Sequence, residues 1–427
     1  MIVLFTFFTL LILGLRIGVV VGISGIVGIM TISGFDFMSV VPQKIFNGLN
    51  LFPFLAMPFF ILAGEIMNHI GITSKIIHFA NVLVGHKRGG LAHANMISSV
   101  FFAGVSGAAT SDAAAFGRTL VPAMVKAGYD RPFACAVTAA GSIIGPTIPP
   151  SGLMVVYGSL MGVSIGGLFA AGILPGIAIC IACMIVITIV AKRKNYPIAA
   201  EKAGLKDIIE AFKEAYLALI MPLIILGGII FGVFTPTEAA SIAVAYALIL
   251  GVFVYRNLNF QALSAIILST ARICGVIFLI IASASILGWY LSFEQIPQAL
   301  TATVISITDN PHLILLIIIL FLLAVGMIMD ITAMLIILAP ILVPITIDIG
   351  IDPLHAGIIF VLALNISLMT PPIGACLFVL SSVTGEKMER IATSLWPFLI
   401  VEVGILFLFA YSPDVALFIP RILGFIE

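Results

Sequence analysis

Ser142-Ile143-Ile144-Gly145-Pro146-Thr147-Ile148-Pro149-Pro150-Ser151 lies inside an apolar run that is otherwise long enough to cross a bilayer. Pro146, Pro149 and Pro150 lack the amide hydrogen that continues a helix, and each ring clashes with a carbonyl one turn earlier. Gly145 readily leaves helical geometry. No helix can run unbroken here. In hydrocarbon, a broken backbone survives only where protein or a water-filled cavity satisfies its freed groups. The same interruption recurs at Asn365-Ile366-Ser367-Leu368-Met369-Thr370-Pro371-Pro372-Ile373-Gly374. Interrupted spans in corresponding halves of a chain point to the binding site of a secondary transporter.

Composition fixes the solvent. The 427 residues are 62% hydrophobic and 9% charged, with a mean hydropathy of +1.29. Soluble domains carry roughly 25% charged residues, so this is an all-α polytopic membrane protein. A formal net charge of +0 argues against a nucleic-acid partner. Met1–Met30 has no basic n-region of the kind a cleaved signal needs and reads as retained span. Cys135, Cys180, Cys183, Cys274 and Cys376 all sit in apolar runs. The Cys180–Cys183 spacing resembles a redox or metal motif, but it has no second pair or nearby His and reads as small apolar filler.

The chain repeats itself. One displacement superposes Pro149-Pro150 on Pro371-Pro372, Gly152 on Gly374, Ser159 on Ser381 and Pro175 on Pro397. A slightly shorter one pairs Asp112 with Asp330 and Pro122 with Pro340. The division is a first copy at 1–191, a basic linker at 192–213, a second copy at 214–411 and an interfacial tail at 412–427. Lys192, Arg193, Lys194, Lys202, Lys206 and Lys213 place the linker in the cytoplasm by the positive-inside rule. Lys75, Lys87, Arg88, Lys126 and Arg131 flank the Asp112 segment, whereas Glu294, Asp309, Asp348 and Asp352 flank the Asp330 segment. One set of flanks reads cytoplasmic and the other external, so the copies form an inverted repeat.

In the first copy, spans are expected near Ile2–Val20, Ile23–Val40 and Leu51–His69. A short interfacial helix follows at Ile72–Val84. A re-entrant hairpin over 92–125 turns at Gly104–Asp112. The broken span 133–157 and a span at Ile165–Ala191 complete the copy. In the second, spans are expected near Ala215–Phe234, Ala239–Tyr255 and Ser264–Leu291, then an interfacial stretch at Ile296–Ile307. A hairpin over 313–345 turns at Gly326–Asp330, ahead of the broken span 356–380 and a span at Ile391–Tyr411. This gives ten crossings with both termini external.

Helix ends leave carbonyls and N–H groups without partners. Unwound carbonyls plus a hydroxyl form an oxygen cage suited to Na⁺, and helix N-termini favour an anionic substrate group. Ser106, Gly107 and Ala108 with Gly145, Ile148 and Pro149 are read as one cage. Gly326 and Met327 with Ser367, Thr370 and Pro371 are read as the other. Asp112 and Asp330 are intramembrane carboxylates and thus candidates for coupling or substrate contact, or for capping each hairpin's returning helix. Arg118, two turns beyond Asp112, either attracts an anion or reaches the cytoplasmic surface. Thr147 and Ser151 add hydroxyls beside the first break. Glu238 after Thr235-Pro236-Thr237 reads as a capping box.

Gly104–Gly117, Gly145–Gly152 and Met369–Gly374 resemble the large membrane subunit of tripartite ATP-independent periplasmic (TRAP) transporters, and the resemblance runs nearly the whole chain. It implies an elevator-type, Na⁺-driven importer of an acidic substrate in a bacterial inner membrane, working with a small four-helix membrane subunit and a soluble periplasmic substrate-binding protein. The family's sodium sites map onto the two cages. Because Met1 opens directly on the first span, the small subunit is expected as a separate chain. Substrates in the family include C4-dicarboxylates and sialic acids, and the general look is closest to the sialic-acid branch. The alternative from another class is an intramembrane aspartyl protease using Asp112 and Asp330. Neither aspartate has the Tyr or Gly-Xaa-Gly context such a protease shows.

Overall fold

The computed structural model describes residues 1–198, 202–308 and 310–426, so Asp309 and part of the basic linker lie outside the described residues. The described chain is built from α-helices joined by short turns.

The N-terminal region departs from the expected spans. Instead of one helix over Ile2–Val20, α1 (Ile2–Ile12) stops before Gly14 at φ 77° and Arg16 in extended geometry, and α2 (Ile17–Ser33) begins there. The helix expected at Ile23–Val40 is therefore the second half of α2. α3 (Val40–Leu49) then bends by 60° into Phe52–His69, a 3₁₀ turn followed by α4 (Ala56–His69). Pro53 has no N–H to offer the Leu49 carbonyl, so α3 cannot continue. α5 (Ile72–Val84) has the bounds of the expected short helix.

Next come the hairpin α6 (Gly90–Ser106) and α7 (Ala109–Lys126), and the interrupted α8 (Arg131–Ser142), α9 (Ile144–Thr147) and α10 (Gly152–Met161). The long α11 (Ile165–Arg193) closes the first copy. α12 (Leu205–Ile230), α13 (Pro236–Ile249) with a π turn at Leu250–Val254, α14 (Phe260–Phe293) and α15 (Ile296–Ile307) open the second. The hairpin α16 (Pro311–Gly326) and α17 (Ile331–Asp348), the interrupted α18 (Pro353–Ser367) and α19 (Ala375–Thr384), and α20 (Met388–Tyr411) then repeat the order of the first copy. α21 (Pro413–Ala416) and α22 (Phe418–Ile422) end it.

Caps explain several starts. Thr235 and Glu238 form the expected reciprocal box at α13, and Asp352 accepts from Leu354 and His355 N–H ahead of Pro353 at α18.

Among the described residues six helices are long and apolar enough to span alone, and the bent pairs α3–α4 and α8–α10 raise this to eight. By length and composition seven of the ten expected crossings are counted among the described residues: α1 and α2 are each short, as are α18 and α19, and the eighth counted helix is the hairpin arm α17. α2 packs on α14 through Gly22, Gly25 and Gly28: a Cβ on Gly25 would lie 2.8 Å from the Leu287 nitrogen, and one on Gly28 would meet the Tyr290 ring at 2.8 Å. Small residues let two apolar helices approach where lipid provides no hydrophobic drive.

Candidate functional site

Each hairpin tip is packed into the broken span of its own copy. Gly107 ends α6 in the left-handed region at φ 60°, and a Cβ there would sit 2.7 Å from the Pro150 carbonyl oxygen. A Cβ on Gly145 would run into Asp112 Oδ2, and one on Gly326 into Ser367 Oγ. These glycines are what allow tip and break to touch. Both Pro149-Pro150 and Pro371-Pro372 are cis.

The breaks are rich in oxygen. Thr147 Oγ1 donates to the Ile143 carbonyl at 2.7 Å and accepts from Asn365 Nδ2 at 3.0 Å, joining the two interrupted spans through the centre of the molecule. Ser151 Oγ donates to the Pro146 carbonyl at 2.6 Å. In the second break, Ser367 Oγ donates to Leu364 O at 2.6 Å and Thr370 Oγ1 to Ile366 O at 2.8 Å. Each hydroxyl has its proton committed to a carbonyl, so lone pairs remain for a cation on Ser151, Ser367 and Thr370, while Thr147 already gives one to Asn365. A donor set of carbonyl and hydroxyl oxygen at the ends of α6, α9, α16 and α18 fits a small hard ion such as Na⁺. The Ser106 side chain lies outside the described residues. Ile148 directs its own side chain against Gly176 of α11, so it can offer a cage only its backbone. Met327 is the residue after α16, its N–H on Leu323 O at 3.3 Å, and Pro371 lies half-buried in the second break.

The two aspartates differ, and of the two roles open to them the capping one is seen at Asp330. Asp330 is the N-cap of α17, accepting from Thr332 and Ala333 N–H at 3.0 and 3.1 Å. α7 begins a turn earlier than expected, at Ala109, so Asp112 is inside its first turn, fully buried against Gly145. Arg118 is exposed on α7 and is not among the residues that line the cavity described below. Thr147 and Ser151 are buried in the break and brace its backbone.

A cavity of about 470 Å³ joins these parts. It is reached by the N-termini of four half-helices: Ala109, Thr110 and Ser111 of α7, Gly152 of α10, Ile331 and Thr332 of α17, and Ala375 of α19. Helix N-termini present orphan N–H groups and roughly half a positive charge each; at α17 the Asp330 carboxylate already accepts from the Thr332 and Ala333 N–H groups, so α7, α10 and α19 are the ends left open to an anion. Pro146, Pro150 and Leu368 bring both breaks to the same space, and Gly107 and Asp330 bring both tips. The rest of the lining is largely apolar, with Met57, Phe60 and Ile61 of α4 and Ile273, Ile277 and Ile280 of α14. No lysine or arginine lines the cavity among the described residues.

Two acidic residues escaped the sequence reading. Glu65 of α4 lines the cavity. Glu402 of α20 is fully buried, with Oε1 accepting from the Cys183 thiol at 3.3 Å, so Cys183 is a polar neighbour and not only filler. The signal that could have found them was a carboxylate inside an apolar run, Leu62-Ala63-Gly64-Glu65 and Ile400-Val401-Glu402.

Comparison with known proteins adds four findings. The family model described as the DctM component of tripartite ATP-independent periplasmic transporters matches residues 4–415. The sialic acid TRAP transporter large permease SiaM of Vibrio cholerae is 40% identical over 380 residues, covering 89% of each chain. The C4-dicarboxylate TRAP transporter large permease DctM of Pseudomonas aeruginosa is 37% identical over 403 residues, covering 94% of each. Among solved structures, the Alcanivorax borkumensis YdaH transporter superposes with a TM-score of 0.63 over 90% of this chain and 89% of its own, at 14% identity, a likeness of fold.

Proposed function

Because the chain belongs to the DctM family of TRAP transporter large permeases, a multi-pass inner-membrane protein and not an enzyme, we propose that it is a Na⁺-coupled importer of an acidic organic substrate. The observation that carries this reading is the convergence of four helix N-termini and two hydroxyl-bearing backbone breaks on one cavity. A carboxylate seated against the N-termini gains charge-assisted N–H bonds without any basic side chain. The cations hold the tips to the breaks, so substrate and Na⁺ favour the same closed arrangement, and that shared preference is the coupling.

An elevator movement suits the wall chemistry. The hairpins and interrupted spans carry the polar groups, while α4 and α14 face them with mainly apolar residues that a moving unit can slide past without breaking hydrogen bonds. The repeat, with its opposed charged flanks, supplies the symmetry that lets the same cavity open to either side. In keeping with the family, the chain works with a small four-helix membrane subunit and takes its substrate from a periplasmic binding protein.

The test is uptake into proteoliposomes containing this chain and its small subunit, with the cognate binding protein outside. Accumulation of a labelled carboxylate is expected only under an inward Na⁺ gradient. Equal accumulation with K⁺ replacing Na⁺ would refute the coupling.

A further inference from the structure

Resting on the acidic-substrate reading, the α4 wall allows the substrate class to be narrowed. Glu65 and Asn68 are three residues apart and so share one face of the helix. Both line the same cavity as the convergent N-termini. Glu65 has no hydrogen-bond or ion-pair partner among the described residues, so its carboxylate oxygens are open acceptors. Asn68 Oδ1 is engaged by the Thr73 hydroxyl at 2.9 Å, which turns the Asn68 amide hydrogens outward as donors. The wall thus presents an acceptor and a donor side by side, with net negative charge.

We infer that Glu65 and Asn68 select a monocarboxylic acid bearing hydroxyl or amide groups, and reject a short dicarboxylic acid. A hydroxylated chain or ring places O–H or N–H groups on Glu65 and an oxygen on Asn68 while its single carboxylate occupies the N-terminal end. A dicarboxylate has no donor for Glu65, and its second anion faces a like charge in a low-dielectric space. A site whose polar groups are left unmatched discriminates strongly against the ligand that fails to match them. The cavity, at about 470 Å³, is within the range of small-molecule sites and leaves room for a sugar acid.

The experiment titrates the purified complex of this chain and its small subunit, in saturating Na⁺, with gluconate, N-acetylneuraminate and succinate, reading affinity by thermal shift. The wild type should bind at least one of the two hydroxylated acids about tenfold or more tighter than succinate. Glu65→Gln should narrow that ratio about tenfold, mainly by tightening succinate. Asn68→Ala should weaken the hydroxylated acid severalfold and leave succinate unchanged. Succinate as the preferred ligand of the wild type overturns the inference, as do variants that shift all three acids equally, the mark of a merely structural role. If none of the acids binds the wild type, the carboxylate reading itself fails and the inference falls with it.

Discussion

Gly107 and Gly326 are single atoms short of a clash. A Cβ on Gly107 would approach the Pro150 carbonyl oxygen to 2.7 Å and would also hold an L-residue at φ 60°. Gly107→Ala should therefore lower stability by ~1–3 kcal/mol and weaken Na⁺ binding more than tenfold, because the tip is levered off the break. The readout is the shift of melting temperature on adding Na⁺: a large shift in the wild type, a small one in the variant. Sequence alone could nominate these residues, since a glycine shortly before an aspartate in an apolar run marks the turn of a hairpin. It could not separate Asp112 from Asp330, because whether an aspartate caps or lies within the first turn depends on where the helix starts, and Ala108–Ala109 gives no capping signal. Glu65 and Glu402 were visible as charges in apolar runs, yet what each faces is decided by packing between distant segments.

At the scale of elements, close helix contact and helix-end ties hold the frame around the cavity. Gly25→Leu should force α2 away from the Leu287 backbone on α14, costing ~1–3 kcal/mol through overpacking. Unfolding of the purified protein in a mild detergent measures this, and Gly227→Leu on α12, where a Cβ meets nothing within 4 Å, should be nearly silent. The start of α8 is tied to the end of α11 by Asp130, which accepts from Lys194 Nζ at 2.5 Å and from Tyr196 Oη at 2.9 Å. The hydrogen bonds from Lys194 and Tyr196 hold the Asp130 carboxyl below the usual carboxylate range. A depressed folded-state value stabilises the fold above the ordinary carboxylate pKa of ~3.9, and that contribution is lost as pH falls through the folded value. The side chains are about half exposed, so the effect is small. Asp130→Asn should melt slightly below the wild type near neutral pH, and the two should converge as acidification passes below the depressed folded-state value. The hairpins, the breaks and the Ile72–Val84 helix were legible because proline, glycine and amphipathic spacing act locally. The N-terminal spans were misjudged because the chain leaves the helix at Gly14 and Arg16 inside the first expected span, and because a separate short helix forms over Val40–Leu49 ahead of Pro53.

For the whole molecule, the repeated order of hairpin and broken span places four half-helix N-termini and two sets of hydroxyl-bearing helix ends around one cavity. Two interrupted helices kept apart would expose unsatisfied backbone to lipid, so the breaks need the hairpins and each other, and the Asn365–Thr147 bond joins them at the centre. Asn365→Ala should loosen both halves together, seen as a lower melting temperature and a reduced response to Na⁺ even though this residue belongs to neither proposed cage. Equilibrium binding of radioactive Na⁺ to the purified protein reports most directly on whether the exposed backbone and hydroxyls coordinate cations. At least two saturable Na⁺ ions per chain are predicted, with one lost when Ser367 and Thr370 are both replaced by Ala. No saturable Na⁺ binding, or a stoichiometry untouched by that double replacement, would contradict it.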